Sequence, residues 1–168
     1  MNTNQRTDIL FICMGNICRS PLAENVFRHK ARSRGVLRFF DIDSAGIGHW
    51  HIGEEPDPRA RDVAQDHGVA VTGTGRQVKR RDFARFDYLI CMDEDNRQDI
   101  LDRGAPEEKV HLLLDFLPDA PMVEVPDPYD GGRDGFELVY KLVDAACETL
   151  LDTLLDRHVI ERDARPSE

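Results

Sequence analysis

Asp8-Ile-Leu-Phe-Ile-Cys13-Met-Gly-Asn-Ile-Cys-Arg19-Ser20-Pro21 decides the fold. Asp8 to Cys13 is a short, nearly continuous apolar run, the pattern of a strand buried on both faces. Met14 to Arg19 cannot enter a core as a block, so it predicts a turn. Ser20-Pro21 then predicts a helix start, with Ser20 as N-cap and Pro21 at the first helical position. Leu22, Val26 and Phe27 give this helix its apolar stripe, and Gly35 ends it.

The alternation continues downstream. Phe39 to Ser44 predicts a second strand, and Asp57-Pro58 opens a helix running to Gly68. Tyr88 to Met92 and Val110 to Leu114 predict two more strands, with a helix near Asp95 to Gly104 between them. Phe116 to Gly132 is rich in proline and predicts an irregular loop. The last helix starts near Asp134, with Glu137 as capping-box partner. Phe136, Val139, Tyr140, Val143, Cys147, Leu150, Leu151 and Leu154 recur at helical spacing within it. Arg157 to Glu168 is polar and predicts a loose tail. Strands alternating with helices imply an α/β domain with a parallel sheet covered on both faces. The expected organisation is one domain over 1–156 and a polar C-terminal tail over 157–168. Ligands in such folds bind at the carboxyl ends of the strands, so the turn after Cys13 is the place to look.

Composition narrows the function. The chain has 168 residues, 40% hydrophobic, enough for one sizeable core. Its 22 Lys+Arg against 32 Asp+Glu leave a net charge of −10, which argues against a nucleic-acid partner. An anionic substrate stays open, because inward-pointing N–H groups bind phosphate on an acidic protein too. Met1 to Asp8 is polar and unlike a signal peptide, and no run is long enough to span a bilayer. Four cysteines, at 13, 18, 91 and 147, allow two disulfides in a secreted protein. Cys91 and Cys147 instead fall in apolar patterns that read as core, so the expectation is a cytoplasmic chain with reduced thiols. Cys13 and Cys18 lack a second Cys or His pair at zinc spacing, so no metal site is expected.

Cys13 to Arg19 is a C-x5-R element between a strand and a helix start. A loop curling over a helix N-terminus points backbone N–H groups inward, where the dipole also favours negative charge. Gly15 permits backbone conformations barred to residues with a Cβ. Arg19 presents a planar fork for two phosphate oxygens. Thiol pKa values fall from about 8.5 to roughly 3.5–7.5 in such surroundings. A Cys13 thiolate could then attack phosphorus while the loop stabilises the equatorial oxygens. The plainer alternative is a buried Cys at a strand end and a surface Arg. Asp127, in Asp127-Pro128-Tyr129, is either a carboxylate starting a turn or the acid that a poor leaving group needs. Trp50, the sole tryptophan, is either a half-buried anchor or an aromatic wall beside the loop, with Tyr129 opposite.

Ile12 to Pro21 resembles the signature of the low-molecular-weight protein tyrosine phosphatases. Ser44-Ala45-Gly46, Trp50-His51, Pro56-Asp57-Pro58-Arg59, Phe83 to Tyr88, Cys91-Met92-Asp93-Glu94 and Asp127-Pro128-Tyr129 extend the resemblance from Asp8 to about Leu155. The resemblance implies a four-stranded parallel sheet with helices on both faces and no metal or organic cofactor. Cys13 would form a cysteinyl-phosphate, Arg19 would bind the phosphoryl group, and Asp127 would protonate the leaving oxygen and then activate water. Met14, Gly15, Asn16, Ile17, Cys18, Arg19 and Ser20 would cradle the phosphate. Trp50, Tyr129 and Asp130 would shape the substrate cleft. The implied substrate is a tyrosine-phosphorylated protein or peptide, and the implied partner a tyrosine kinase, as for some bacterial relatives. Many relatives carry a His where this chain has Gly73, joined with the matches of Asn16, Ser20 and Ser44 in bracing the loop. Asp130 replaces a frequent second aromatic.

Three rivals compete. Phosphoarginine phosphatases are similar but tend to carry Thr at the position of Ile17, and the apolar Ile17 favours an aryl phosphate. Thiol-dependent arsenate reductases share the fold and loop but need further mobile cysteines, which Cys91 and Cys147 do not resemble. A non-catalytic phosphate-binding module would need neither the Cys13 thiolate nor the Asp127 acid. Cys18, five residues after Cys13, is either loop packing or a resolving thiol that captures oxidised Cys13 as a disulfide, a protection the resemblance supports.

Overall fold

The computed structural model describes residues 6–163. Strand β1, Thr7–Cys13, leads through the loop into helix α1, Arg19–Ser33. Strand β2 spans Phe40–Gly46, and helix α2 spans Pro58–Asp66. Helix α3, Arg80–Arg85, precedes strand β3, Tyr88–Cys91. Helix α4, Glu94–Asp102, strand β4, Val110–Leu112, and helix α5, Arg133–Asp163, complete the order. The four strands form one parallel sheet in the order β2-β1-β3-β4.

Alternation along β1 splits the core into two layers. Ile9 and Phe11 join the layer beneath α1, α2 and α5, while Leu10 and Ile12 join the layer facing α3 and α4. All four are fully buried, as expected for a strand covered on both faces. Helix α5 carries the largest share of one layer: Phe136, Val139, Tyr140, Val143, Cys147, Leu150, Leu151 and Leu154 are all buried. Lys30 bridges α1 to Asp144 and Glu148 of α5 at 3.0 and 2.8 Å, which fixes how the two helices cross more than it stabilises them.

Several local expectations change in the folded chain. Cys18, not Ser20, occupies the N-cap of α1, and Pro21 sits within its first turn, where no N–H is missed. The Ser20 hydroxyl is claimed by Asn16 and Cys13 instead. Glu137 does not close a capping box with Asp134; it reaches His67 at the end of α2 at 2.5 Å. Helix α3 was not expected, because its six residues offer only Phe83 as an apolar anchor. The backbone of α5 continues through Arg157 to Asp163, where a loose tail was expected; residues 164–168 lie outside the described residues. Gly35, in the left-handed region at φ 70°, follows the end of α1 as its spacing implied.

Phe27 of α1 is fully buried between Phe11, at 6.0 Å between ring centroids, and Phe40, edge-on at 5.2 Å. Phe27→Ala is expected to cost about 3–5 kcal/mol of stability, measured by urea denaturation, because helix and sheet cannot close over the space.

Candidate active site

The chain leaves β1 for β2 on one side of the sheet and returns to β3 on the other, so a crevice opens where β1 and β3 end. The Cys13–Arg19 loop fills its floor. Cys13 is 2% exposed. Its sulfur receives the Asn16 backbone N–H at 3.3 Å and lies 3.0 Å from the Ser20 hydroxyl. Ser20 Oγ accepts from Asn16 Nδ2 at 2.9 Å, which leaves its own O–H for the sulfur. The 15-residue α1 starts here with no side-chain cap and no acidic residue in its first turn, so its N-terminal field remains available to an anion.

Asn16, rather than Gly15, adopts the left-handed conformation in this loop, at φ 57°. Asn tolerates that region better than most side chains, and here three further bonds fix it. Its Nδ2 donates to Ser20 and, at 3.0 Å, to Ser44, and its Oδ1 accepts the Arg76 N–H at 3.0 Å. Gly15 allows a close approach: a Cβ there would lie 3.0 Å from the His51 ring, which would have to give by a few tenths of an ångström. Asn16, Ser20 and Ser44 are buried behind the loop and brace it, although the family's His position is Gly73. The bracing ends on Glu24, which accepts the Ser44 hydroxyl at 2.5 Å and pairs with Arg28 at 2.9 Å. Burial pushes the Glu24 carboxyl up, against the hydrogen bond from Ser44 and the charge of Arg28.

Arg19 is 2% exposed and sits between two carboxylates. Its Nη1 meets Asp93 at 2.6 Å and the Val125 carbonyl at 3.0 Å, and its Nη2 lies 3.7 Å from Asp127. Burial works to lower its pKa, but the charges of Cys13, Asp93 and Asp127 and the bond to Asp93 outweigh it and hold the guanidinium ionised. Asp93 also caps α4 by accepting the Asn96 N–H at 2.8 Å, so the arginine is fixed to the end of β3.

A cleft of about 170 Å³ rises above the sulfur, lined by Cys13, Met14, Ile17, Arg19, Asp127 and the aromatic residues Trp50, His51 and Tyr129. Trp50 and Tyr129 are 61% and 47% exposed, so both remain open as walls. The Trp50 ring folds over Gly48, where a Cβ would overlap it at 1.7 Å. Cys18 and Gly15 complete the lining. Burial, with the charges of Asp57 and Cys13, pushes the Cys18 thiol up and keeps it protonated. Asp130 is exposed but does not line the cleft. Cys91 and Cys147 are fully buried in the two core layers. Among the described residues no group of three or more His, Cys, Asp or Glu side chains is arranged to hold a metal ion.

The motifs contain Asp93, His51 and Arg59 without assigning them a role, Asp57 is expected only as the helix start it does form, and Glu24 and Arg76 carry no expectation. The available signal was the position of Asp93 directly after a strand predicted to end at the same crevice.

The family model of low molecular weight phosphotyrosine protein phosphatase matches residues 8–161. The chain is 38% identical over 148 residues to the low molecular weight phosphotyrosine protein phosphatase of Sus scrofa, covering 86% of this chain and 93% of that one. A crystal structure of a protein tyrosine phosphatase from Entamoeba histolytica superposes with a TM-score of 0.86 at 39% identity, covering 90% and 99% of the two chains. The structure of a drosophila arginine phosphatase superposes with a TM-score of 0.81 at 32% identity, covering 87% and 96%. A family match over almost the whole chain, together with these relatives, places the chain in the low molecular weight phosphotyrosine protein phosphatase family, to which it belongs.

Proposed function

We propose that the chain hydrolyses phosphotyrosine and small aryl phosphates through a cysteinyl-phosphate on Cys13. The observation that carries this reading is the convergence of the Cys13 sulfur, the Arg19 guanidinium and the Asp127 carboxyl in one aromatic-walled cleft. Asp93 and Val125 occupy Nη1 of Arg19, leaving its remaining edge for two phosphoryl oxygens. The thiolate attacks phosphorus in line as the P–O bond breaks, and Asp127 gives its proton to the departing phenolic oxygen. Asp127 then takes a proton from water as that water attacks the cysteinyl-phosphate, releasing phosphate and restoring the thiolate. A tyrosine-phosphorylated protein or peptide fits the open cleft, and a tyrosine kinase is the enzyme class that must supply it. Four free cysteines among the described residues fit a cytoplasmic setting.

Met14, Ile17, Trp50 and Tyr129 give the cleft an apolar, aromatic lining, which suits a phenyl ring. Burial of Cys91 and Cys147 in the core disfavours a disulfide-relay arsenate reductase. A panel of phosphotyrosine, phosphoserine and phosphoarginine peptides tests the assignment, and preference for phosphoarginine would overturn it.

Cys13→Ser is expected to reduce turnover by at least about 10³-fold while phosphate or vanadate still binds, since the cradle survives. Turnover and isothermal titration check both halves. Asp127→Asn should slow a substrate with a poor leaving group by about 10²–10⁴-fold and p-nitrophenyl phosphate much less. Cys18 is proposed as a resolving thiol: peroxide converts Cys13 to a sulfenic acid, and Cys18 attacks that sulfur as its proton passes to the departing hydroxyl, so that water leaves as the disulfide forms. Cys18→Ser should retain most activity but recover poorly with thiol reductant after peroxide treatment. Equal recovery would reduce Cys18 to packing.

A further inference from the structure

Asp127 is held loosely by its own contacts. Its side chain is 53% exposed, and its nearest cation, Arg19 Nη2, is 3.7 Å away. Where the carboxyl sits therefore depends on how the segment around it is fixed at its two ends. Upstream, Val125 is fixed twice: its N–H donates to the Met92 carbonyl at 2.9 Å and its carbonyl accepts from Arg19 at 3.0 Å. Downstream, the backbone bonds nearest Asp127 are internal. Tyr129 N–H turns back to Asp127 Oδ1 at 3.0 Å, and Gly131 N–H to the Pro128 carbonyl at 2.9 Å.

Among the described residues, two hydrogen bonds reach residues 128–132 from other elements: the Gly135 N–H at the start of α5 donates to the Gly132 carbonyl at 3.1 Å, and the one that reaches the stretch nearer Asp127 comes from Arg59 at the start of α2. Its Nη1 donates to the Gly131 carbonyl at 3.3 Å. The same guanidinium lies 5.5 Å from the Tyr129 ring centroid and 4.5 Å from that of Phe136. Its orientation is set by a fork on Asp57, Nε to Oδ1 at 3.0 Å and Nη2 to Oδ2 at 2.9 Å. Asp57 is in turn fixed to the phosphate loop, its N–H donating to the Ile17 carbonyl at 2.8 Å. A continuous line thus runs from the loop that holds the nucleophile, through Asp57 and Arg59, to the far side of Asp127.

We propose that Arg59 is the positioning residue that sets the reach of Asp127 over the phosphate loop, and that it does so by clasping Gly131 and Tyr129. The proposal rests on the phosphatase reading above. An ammonium cannot reproduce the clasp, because it lacks the planar fork that serves Asp57 and Gly131 together.

The test compares kcat/KM for p-nitrophenyl phosphate and phenyl phosphate, which differ in how much the leaving oxygen needs a proton. It uses the full chain, Arg59→Met, Arg59→Lys, Asp127→Asn and the double variant Arg59→Met with Asp127→Asn. Arg59→Met should lose about tenfold or more in excess on phenyl phosphate, the skew of a misplaced acid. Inhibition by inorganic phosphate should stay within about threefold of wild type, because the cradle is untouched. Arg59→Lys should show a smaller skew of the same sign. Once Asp127 is Asn, Arg59→Met should add no further skew. Equal losses on the two substrates in both Arg59 variants, or a skew that persists without Asp127, overturns the proposal. Absence of aryl phosphatase activity in the unmodified chain would instead overturn the phosphatase reading.

Discussion

A loop that turns its N–H groups toward an anion gives up the hydrogen bonds that hold ordinary secondary structure together. Something else must hold it, and here it is the buried side-chain amide of Asn16. Both ends of that amide are used: its NH₂ joins Ser20 to Ser44, and its carbonyl accepts from Arg76. Those contacts stabilise a backbone conformation that a lone residue adopts at a cost. They also aim the Asn16 N–H at the Cys13 sulfur. Backbone bonds from Ile47, Gly48 and Asp57 hold the loop carbonyls from outside, and the amide holds its interior.

The electrostatics follow from the same geometry. The protein is acidic overall, at −10, yet its crevice collects positive character from a buried guanidinium and an uncapped helix start. Asp93 is the counterweight: a full partner within 2.6 Å makes it tolerable to bury Arg19 before any phosphate arrives. Local arrangement therefore decides what this chain binds, and net charge does not.

The parts of the molecule that were legible in the sequence share one property: their cause is local. The run Ile9 to Ile12, the Asp57-Pro58 helix start and the stripe from Phe136 to Leu154 each encode burial through their own spacing. Cys13, Arg19 and Asp127 were legible through motifs, and they do meet in one cleft. What stayed hidden depended on distant neighbours. Ser20 has the composition of a cap but is drawn off by Cys13 and Asn16. Glu137 looks like a capping partner until His67 arrives from 70 residues away. Glu24, Asp93 and Arg59 acquire their work only when α1, α4 and α2 converge on the loop, which no spacing within one element encodes.

The contact between Trp50 and Gly48 has an optical consequence. The chain holds a single indole, and the fold places it on the rim of the cleft, largely in water, with the His49 ring stacked beside it at 5.6 Å. Only tyrosine emission, from Tyr140, therefore comes from the core, and indole emission originates at the mouth of the site. Its wavelength and quenching report what enters the cleft, while melting of the sheet and helices changes the surroundings of that indole comparatively little.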